Sequence, residues 1–285
     1  MSKAVYSRSS IARPLEPQYK TNLAVLVLMP IIGFAGFVWA GQNGMSGLGQ
    51  IFSALSYALV GFLSWAAARE FDPDRNAGAF LAMALAVAAA FFIGETAVWT
   101  MAFALMAIRV VNRSVGLPVK FGDILIVAAL AALAVFRDGY AQIGFVAATA
   151  FALDAFLDRK RTLNLLGALV TLSFTAWELI ELQGDFEALL LSAVAVMDPM
   201  KLYVALGVLA LGVLHALLLG RVRSTGDATG EPLSGFRVRG GILVFCLTGL
   251  AVLPAGEAAA LHALPLYAII IGVVIGRFIP FGQIR

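Results

Sequence analysis

The sequence has few of the residues on which most soluble proteins depend. Only 13% of its 285 residues are charged, two are histidine, and Cys246 is the single cysteine. One cysteine excludes a disulfide within the chain, and so few soft ligands argue against a zinc-type site. No polar block is longer than about 20 residues, so no water-soluble domain is evident.

The chain consists mainly of apolar sequence. Hydrophobic residues make up 61% of it, and the mean hydropathy is +0.92. This composition predicts an all-α polytopic integral membrane protein, most simply of a bacterial or archaeal cytoplasmic membrane, with the lipid bilayer as its main partner. The pI of 9.2 does not indicate a nucleic-acid partner, because the basic residues are scattered in short loops beside apolar segments.

The longest apolar stretch runs from Ala77 to Ile108, and Glu95 is its only ionisable residue. A single helix of that length would measure roughly 48 Å, against a hydrocarbon core of about 30 Å. Gly94, Glu95 and Thr96 lie at its midpoint, and basic residues flank both of its ends. The stretch is therefore predicted to form a helical hairpin whose tip faces outward.

This hairpin fixes the direction of every other crossing. We predict ten spans with both termini cytoplasmic, at residues 23–40, 49–67, the two halves of 77–108, 124–136, 140–156, 164–179, 200–219, 242–253 and 265–279. In this arrangement eighteen of the twenty lysines and arginines lie on the inner side, and only Arg137 and Lys201 lie outside. Such sorting follows the positive-inside rule.

The chain divides into a flexible basic cytoplasmic tail, residues 1–21, and a single transmembrane domain, residues 22–285. Residues 185–198 are too short for a crossing and are predicted to form an outer interfacial or re-entrant helix. Halves at 22–137 and 138–285 would each hold five spans and would be inverted relative to each other. In size, span number and terminal placement the chain resembles the drug and metabolite transporter superfamily, which implies a secondary transporter of a small solute.

Carboxylates close to the outer ends of spans are candidates for substrate or ion coupling. Glu95 lies between two long apolar runs, and Glu178 and Glu181 lie near the outer end of the seventh span. An acid inside or beside a membrane span is by default a functional hypothesis. The simpler interpretation is that these three residues are solvated groups at the membrane surface.

Two acidic groups lie on the inner side, at Asp72 and Asp74 after the second span and at Asp154 and Asp158 after the sixth. Their placement resembles the UbiA-type prenyltransferases, whose aspartate motifs at these two loops bind magnesium diphosphate. The resemblance implies a membrane-embedded prenyl- or lipid-modifying enzyme with Mg²⁺ as cofactor. Alternatively, Asp72 caps the third span and Asp158 balances the basic residues that follow it.

A third interpretation is a noncatalytic subunit or assembly factor of a membrane complex, which the scarcity of polar residues inside the spans favours. Only the enzyme hypothesis requires a cofactor. The sequence leaves open whether the protein is an enzyme, and whether it acts alone, as a homodimer or in a larger membrane complex. Gly272 and Gly276 form a G-x-x-x-G pattern, which suits helix packing within the chain as well as dimerisation.

Overall fold

A computed structural model describes residues 2–158, 162–181, 185 and 197–279, and these residues are almost entirely helical. One isolated antiparallel bridge joins Thr225 to Pro232 in the loop that spans residues 219–234. Twelve α-helices are described: α1 Ser2–Arg8, α2 Lys20–Gln42, α3 Gly47–Phe71, α4 Asn76–Ile93, α5 Val98–Asn112, α6 Phe121–Phe136, α7 Ile143–Leu157, α8 Thr162–Glu181, α9 Pro199–Leu218, α10 Gly235–Val252, α11 Glu257–His262 and α12 Leu264–Gly276.

The ten predicted spans correspond to the ten apolar helices α2 to α10 and α12. Six of these, α2, α3, α4, α8, α9 and α10, are long and apolar enough to cross a membrane, whereas the other four have 10–17 residues. The stretch from Ala77 to Ile108 forms two helices, because Gly94 ends α4 with a φ of 85°. The apolar helices are consistent with a multi-pass membrane protein. The predicted interfacial helix at 185–198 falls mostly outside the described residues.

The helix ends meet at two opposite faces of the bundle, as successive antiparallel helices require. The basic face is the end where Glu70, Asp74, Asp123 and Asp154 bond to neighbouring segments. At the opposite face, the amide of Ala97 donates to the carbonyl of His262 and Thr100 donates to Asp138. Apart from Arg137 and Lys201, the lysines and arginines whose side chains are described lie towards the basic face.

The helices α6 and α10 begin earlier than predicted, because charged residues near their starts are bonded within the protein. Asp123 lies in the first turn of α6 and accepts the backbone N–H of Lys120, so α6 starts at Phe121 rather than near Ile124. In α10, Arg237 donates to Asp154 and Arg239 donates to the carbonyl of Leu219. Both arginines therefore lie inside α10, whereas hydropathy alone predicts that this helix begins at Ile242.

Small residues allow α12 to pack closely on α4. The two glycines of the G-x-x-x-G pattern face α4, where a Cβ on Gly272 would lie 2.4 Å from the Cα of Ala82. A Cβ on Gly276 would lie 2.3 Å from the Cα of Gly78. Only glycine lets the two backbones approach this closely. The structure therefore uses this pattern for packing α12 on α4 within the chain.

The N-terminal segment, which we expected to be a flexible tail, lies against the helices in the structure. Ile11 is only 2% exposed and packs into the hydrophobic core. Ser9 and Ser10 donate hydrogen bonds to the buried carboxylate of Asp123. The backbone carbonyl of Tyr6 accepts a hydrogen bond from Lys120. Polar bonds to helix ends thus hold a segment that is poor in apolar residues.

A Gly272→Ala substitution should weaken the contact between α12 and α4, since the new methyl group would meet backbone atoms of Ala82 that cannot move without shifting a helix. Overpacking of this kind costs about 1–3 kcal/mol. The matched control is Gly207→Ala in α9, where a Cβ would meet nothing within 4 Å. Thermal unfolding of the purified protein in detergent should show a lower midpoint for Gly272→Ala and an unchanged or higher one for Gly207→Ala. Equal midpoints would contradict the close packing.

Candidate functional site

Glu70 is the centre of a buried charge cluster at the basic face. It is the penultimate residue of α3 and is 1% exposed. Its carboxylate accepts hydrogen bonds from Arg109 Nε at 3.1 Å, Arg13 Nη1 at 3.2 Å and Ser114 Oγ at 3.2 Å. Asn112 Nδ2 donates both to this carboxylate and to the backbone carbonyl of Glu70. A buried carboxylate stays charged when hydrogen bonds and a counter-charge replace its lost hydration, and these four side chains supply both.

Arg13 links this cluster to the loop 219–234. Its Nε and Nη2 donate to the two carboxylate oxygens of Asp227, at 2.6 and 3.0 Å, while Nη1 reaches Glu70. Burial would lower the pKa of Arg13, but the carboxylates of Glu70 and Asp227 raise it above its ordinary value. The guanidinium therefore stays charged and bridges a helix end and a loop.

A cavity of about 740 Å³ lies beside this cluster at the basic face. Its walls come from α2, α3, the N-terminal segment and the loop 219–234. Four basic side chains, Arg13, Lys20, Arg69 and Arg109, and three acidic ones, Glu16, Glu70 and Asp227, line it. Four positive and three negative charges leave a net charge of +1, which favours an anionic ligand.

Among the described residues, Arg69 carries a lining charge that lacks an ion pair. The guanidinium of Arg69 lies 5.3 Å from the centroid of the Trp65 ring and has no carboxylate partner among the described side chains. Trp65 is 4% exposed, and its Nε1 is buried without a hydrogen-bond partner in the part of the chain that the structure describes. Arg69 therefore offers one guanidinium to a ligand in the cavity.

A second cluster surrounds Asp154, which is fully buried near the end of α7. Arg113 donates to both of its oxygens, at 2.8 and 2.9 Å, and also to Asp158 at 2.8 Å. Arg237 and Asn164 donate to Asp154 as well, each at 2.6 Å. Burial would lower the pKa of Arg113, but the hydrogen bonds to both aspartates raise it.

The four aspartates proposed as magnesium ligands have protein partners in this structure. Asp154 and Asp158 bond to Arg113, whereas Asp74 accepts the backbone N–H groups of Arg223 and Ser224. Asp72 lies near Arg75 and Arg277. Within the described residues no group of three or more histidines, cysteines, aspartates or glutamates could hold a metal ion.

The structure does not bring the three proposed coupling carboxylates together in a cavity. Glu95 is exposed in the turn between α4 and α5, and Glu181 is the exposed last residue of α8. Glu178 is half-buried in the last turns of α8. No hydrogen bond or ion pair joins these side chains within the described ranges. The cavity over Glu70 lies at the other end of the bundle.

Comparisons with protein families, with curated proteins and with solved structures found no match to this chain. The candidate site therefore rests on its own geometry. Sequence reasoning did not single out Glu70, Arg13 or Arg109, because nothing in the sequence pairs residues that lie 39 and 57 positions apart. The only available signal was an acid directly after the long apolar run of α3.

A Glu70→Gln substitution should strongly destabilise the fold, because it leaves the buried guanidinium of Arg109 without its counter-charge. Removing one partner of a buried ion pair typically costs about 3–5 kcal/mol. The control is Glu257→Gln, which breaks the exposed ion pair with Lys201 at the opposite face and should have no measurable effect. Unfolding in mixed detergent micelles measures both. A Glu70→Gln protein as stable as the parent would show that the cluster does not stabilise the fold.

Proposed function

We propose that the ten apolar helices all cross the membrane, with both termini and the basic face on the cytoplasmic side. The alternation of helix ends between two faces supports this, as does the collection of described basic side chains at one of them. Basic residues in short loops remain on the cytoplasmic side during insertion. The four shorter helices, such as α12 with 13 residues, would then cross with their ends extended by flanking residues.

We further propose that the protein is a secondary transporter of a small anionic solute, which enters from the basic face. The observation that carries this proposal is the cavity over Glu70, closed in part by the N-terminal segment and by the loop 219–234. Arg13 bridges these closing segments and the bundle through its bonds to Asp227 and Glu70. A cavity that carries the guanidinium of Arg69 without a carboxylate partner among the described residues, beneath two segments that close it in part, suits uptake of an anionic solute.

The charge arrangement suggests how binding and opening could be linked. Arg109 and Arg13 share the Glu70 carboxylate, so a solute carboxylate or phosphate in the cavity could take over one of these bonds. Guanidinium groups bind both kinds of anion in the same forked geometry. Transfer of Arg13 from Glu70 to the solute would loosen the N-terminal segment, because this bond ties that segment to α3. Binding of the solute would thus itself promote the opening of the cavity.

The arrangement favours transport over the alternative of a magnesium-dependent enzyme. Asp154 is held by two arginines and an asparagine, and Asp74 by the backbone of the loop 219–234. Binding a cation there would require breaking these bonds. The cavity over Glu70, in contrast, carries the guanidinium of Arg69, which has no carboxylate partner among the described residues.

The orientation can be tested by thiol labelling in intact cells. In a Cys246→Ala background, Gly230→Cys places one thiol in the exposed loop 219–234 at the basic face, and Asn43→Cys places one in the exposed turn between α2 and α3. An impermeant maleimide added outside should label Asn43→Cys, and should reach Gly230→Cys only after the membrane is opened. The reverse pattern, or labelling of both from outside, would contradict the proposed topology.

Transport can be tested in proteoliposomes with three labelled probes: inorganic phosphate, glycerol 3-phosphate and succinate. At least one should exchange faster than in protein-free liposomes, and Arg69→Ala should slow that exchange at least tenfold. Arg69 is suited to the test because no carboxylate of the described chain depends on it for neutralisation. Arg8→Ala, at an exposed position of α1, removes the same charge away from the cavity and should leave exchange unchanged.

A thiol at the buried cavity residue Ala66 gives an independent readout of access. In the Cys246→Ala background, the probe that exchanges should change the rate at which a maleimide labels Ala66→Cys. Exchange of no probe above the protein-free rate, together with unaltered labelling, would overturn the transport proposal.

A further inference from the structure

A second cavity, of about 900 Å³, lies at the basic face between the start of α4, the loop 219–234 and the end of α12. It adjoins the cavity over Glu70, and residues such as Thr21 and Pro73 line both. Neither the transport proposal nor the clusters around Glu70 and Asp154 uses it. Its lining has a distinct chemistry.

Four arginines line this cavity, Arg75, Arg221, Arg223 and Arg277, against two acids, Asp72 and Asp74. Four positive and two negative charges leave a net charge of +2. This excess lies at the end of the bundle where we place the cytoplasmic surface. The cavity is therefore the more strongly positive of the two described at this face.

The acids of this cavity do not neutralise its arginines fully. Asp74 is occupied by the backbone N–H groups of Arg223 and Ser224, at 2.9 and 2.8 Å. The guanidinium groups of Arg221 and Arg223 have no hydrogen bond or ion pair within the described residues. Asp72 lies near both Arg75 and Arg277, with distances from its Oδ2 to their Nε atoms of 3.8 and 4.0 Å. Burial also raises the pKa of Asp72 above its ordinary value.

The first turn of α4 adds a second feature that attracts anions. Asn76 and Ala77 begin this 18-residue helix and line the cavity, and no side chain of the residue before them caps the helix. Backbone N–H groups at a helix start carry a partial positive charge and bind phosphate groups readily. The helix start and the two unpaired guanidinium groups thus converge on one cavity.

Apolar side chains border the charged part of the cavity. Phe80 of α4 and Leu219 line it, and Phe278, after α12, is 83% exposed beside it. A ligand that fits both parts has an anionic head and an apolar chain. Basic pockets between helices at the cytoplasmic side of membrane proteins have the chemistry that binds anionic lipid headgroups.

We propose that this cavity binds the phosphate group of an anionic membrane lipid, with the lipid chain lying along Phe80 and Phe278. Free phosphate shares the headgroup chemistry, but it has no group to place against the aromatic side chains. The lipid would hold the start of α4, the loop 219–234 and the end of α12 together. This inference does not depend on the transport proposal, because it concerns different residues and a different ligand.

The test compares thermal unfolding of the detergent-purified protein with added phosphatidylglycerol, phosphatidylcholine or inorganic phosphate. A ligand that binds the folded state raises the unfolding temperature by mass action. Phosphatidylglycerol should raise the midpoint by at least about 3 °C, whereas phosphatidylcholine should not, and inorganic phosphate should give no shift that depends on Arg221 and Arg223. The double variant Arg221→Gln, Arg223→Gln should lose this shift. The matched control, Arg8→Gln, Arg137→Gln, removes the same charge from exposed positions and should keep it.

Each other outcome counts against the inference. An equal shift with inorganic phosphate that the Arg221→Gln, Arg223→Gln variant loses would identify a phosphate site in this cavity and overturn the lipid assignment. Loss of the shift in both double variants would show that net charge, rather than this cavity, attracts the lipid. No shift in the parent protein would overturn the site itself. Because Arg221 and Arg223 are exposed and unpaired within the described chain, their substitution should leave the unliganded midpoint unchanged.

Discussion

Buried carboxylates at helix ends set the main constraint on this protein. A carboxylate removed from water costs several kcal/mol unless hydrogen bonds and a counter-charge replace the solvent. Glu70 and Asp154 are both buried, at the ends of α3 and α7, and each collects donors from other segments. The positions of Arg109, Arg113 and Arg237 are fixed by this requirement. The ends of the helices beside these arginines must therefore lie at the same level of the bundle as the ends of α3 and α7.

This electrostatic requirement acts at the ends of the helices, and close packing of small residues adds to it. Where α12 packs against α4, glycine and alanine bring the two backbones into contact, at Gly272 on Ala82 and at Gly276 on Gly78. The second of these contacts lies at the basic face, because Gly276 ends α12 and Gly78 is in the first turn of α4. Both described cavities lie at this face, where charged side chains line them.

The helices could be predicted from the sequence, because hydropathy and glycine positions determine them locally. Gly94 marks the turn of the long apolar stretch, and the ten apolar helices lie where their hydropathy places them. The ion pairs could not be predicted, since partners such as Arg13 and Asp227 are 214 positions apart. Hydropathy places helix boundaries at charged residues such as Asp123. The partners of these residues allow them to lie within the helices. The coupling role assigned to Glu95, Glu178 and Glu181 stays a prediction.

The attachment of the N-terminal segment has a consequence for how the protein is made. Its anchors, Glu70, Asp123 and Asp227, are spread over most of the chain, so the segment cannot dock fully until residue 227 has left the ribosome. Until then, Arg13 has no Asp227 to bind, and the last side of the Glu70 cavity is missing. Arg13 is thus made well before the residues that hold it, and it reaches its final contacts only after most of the chain has been synthesised.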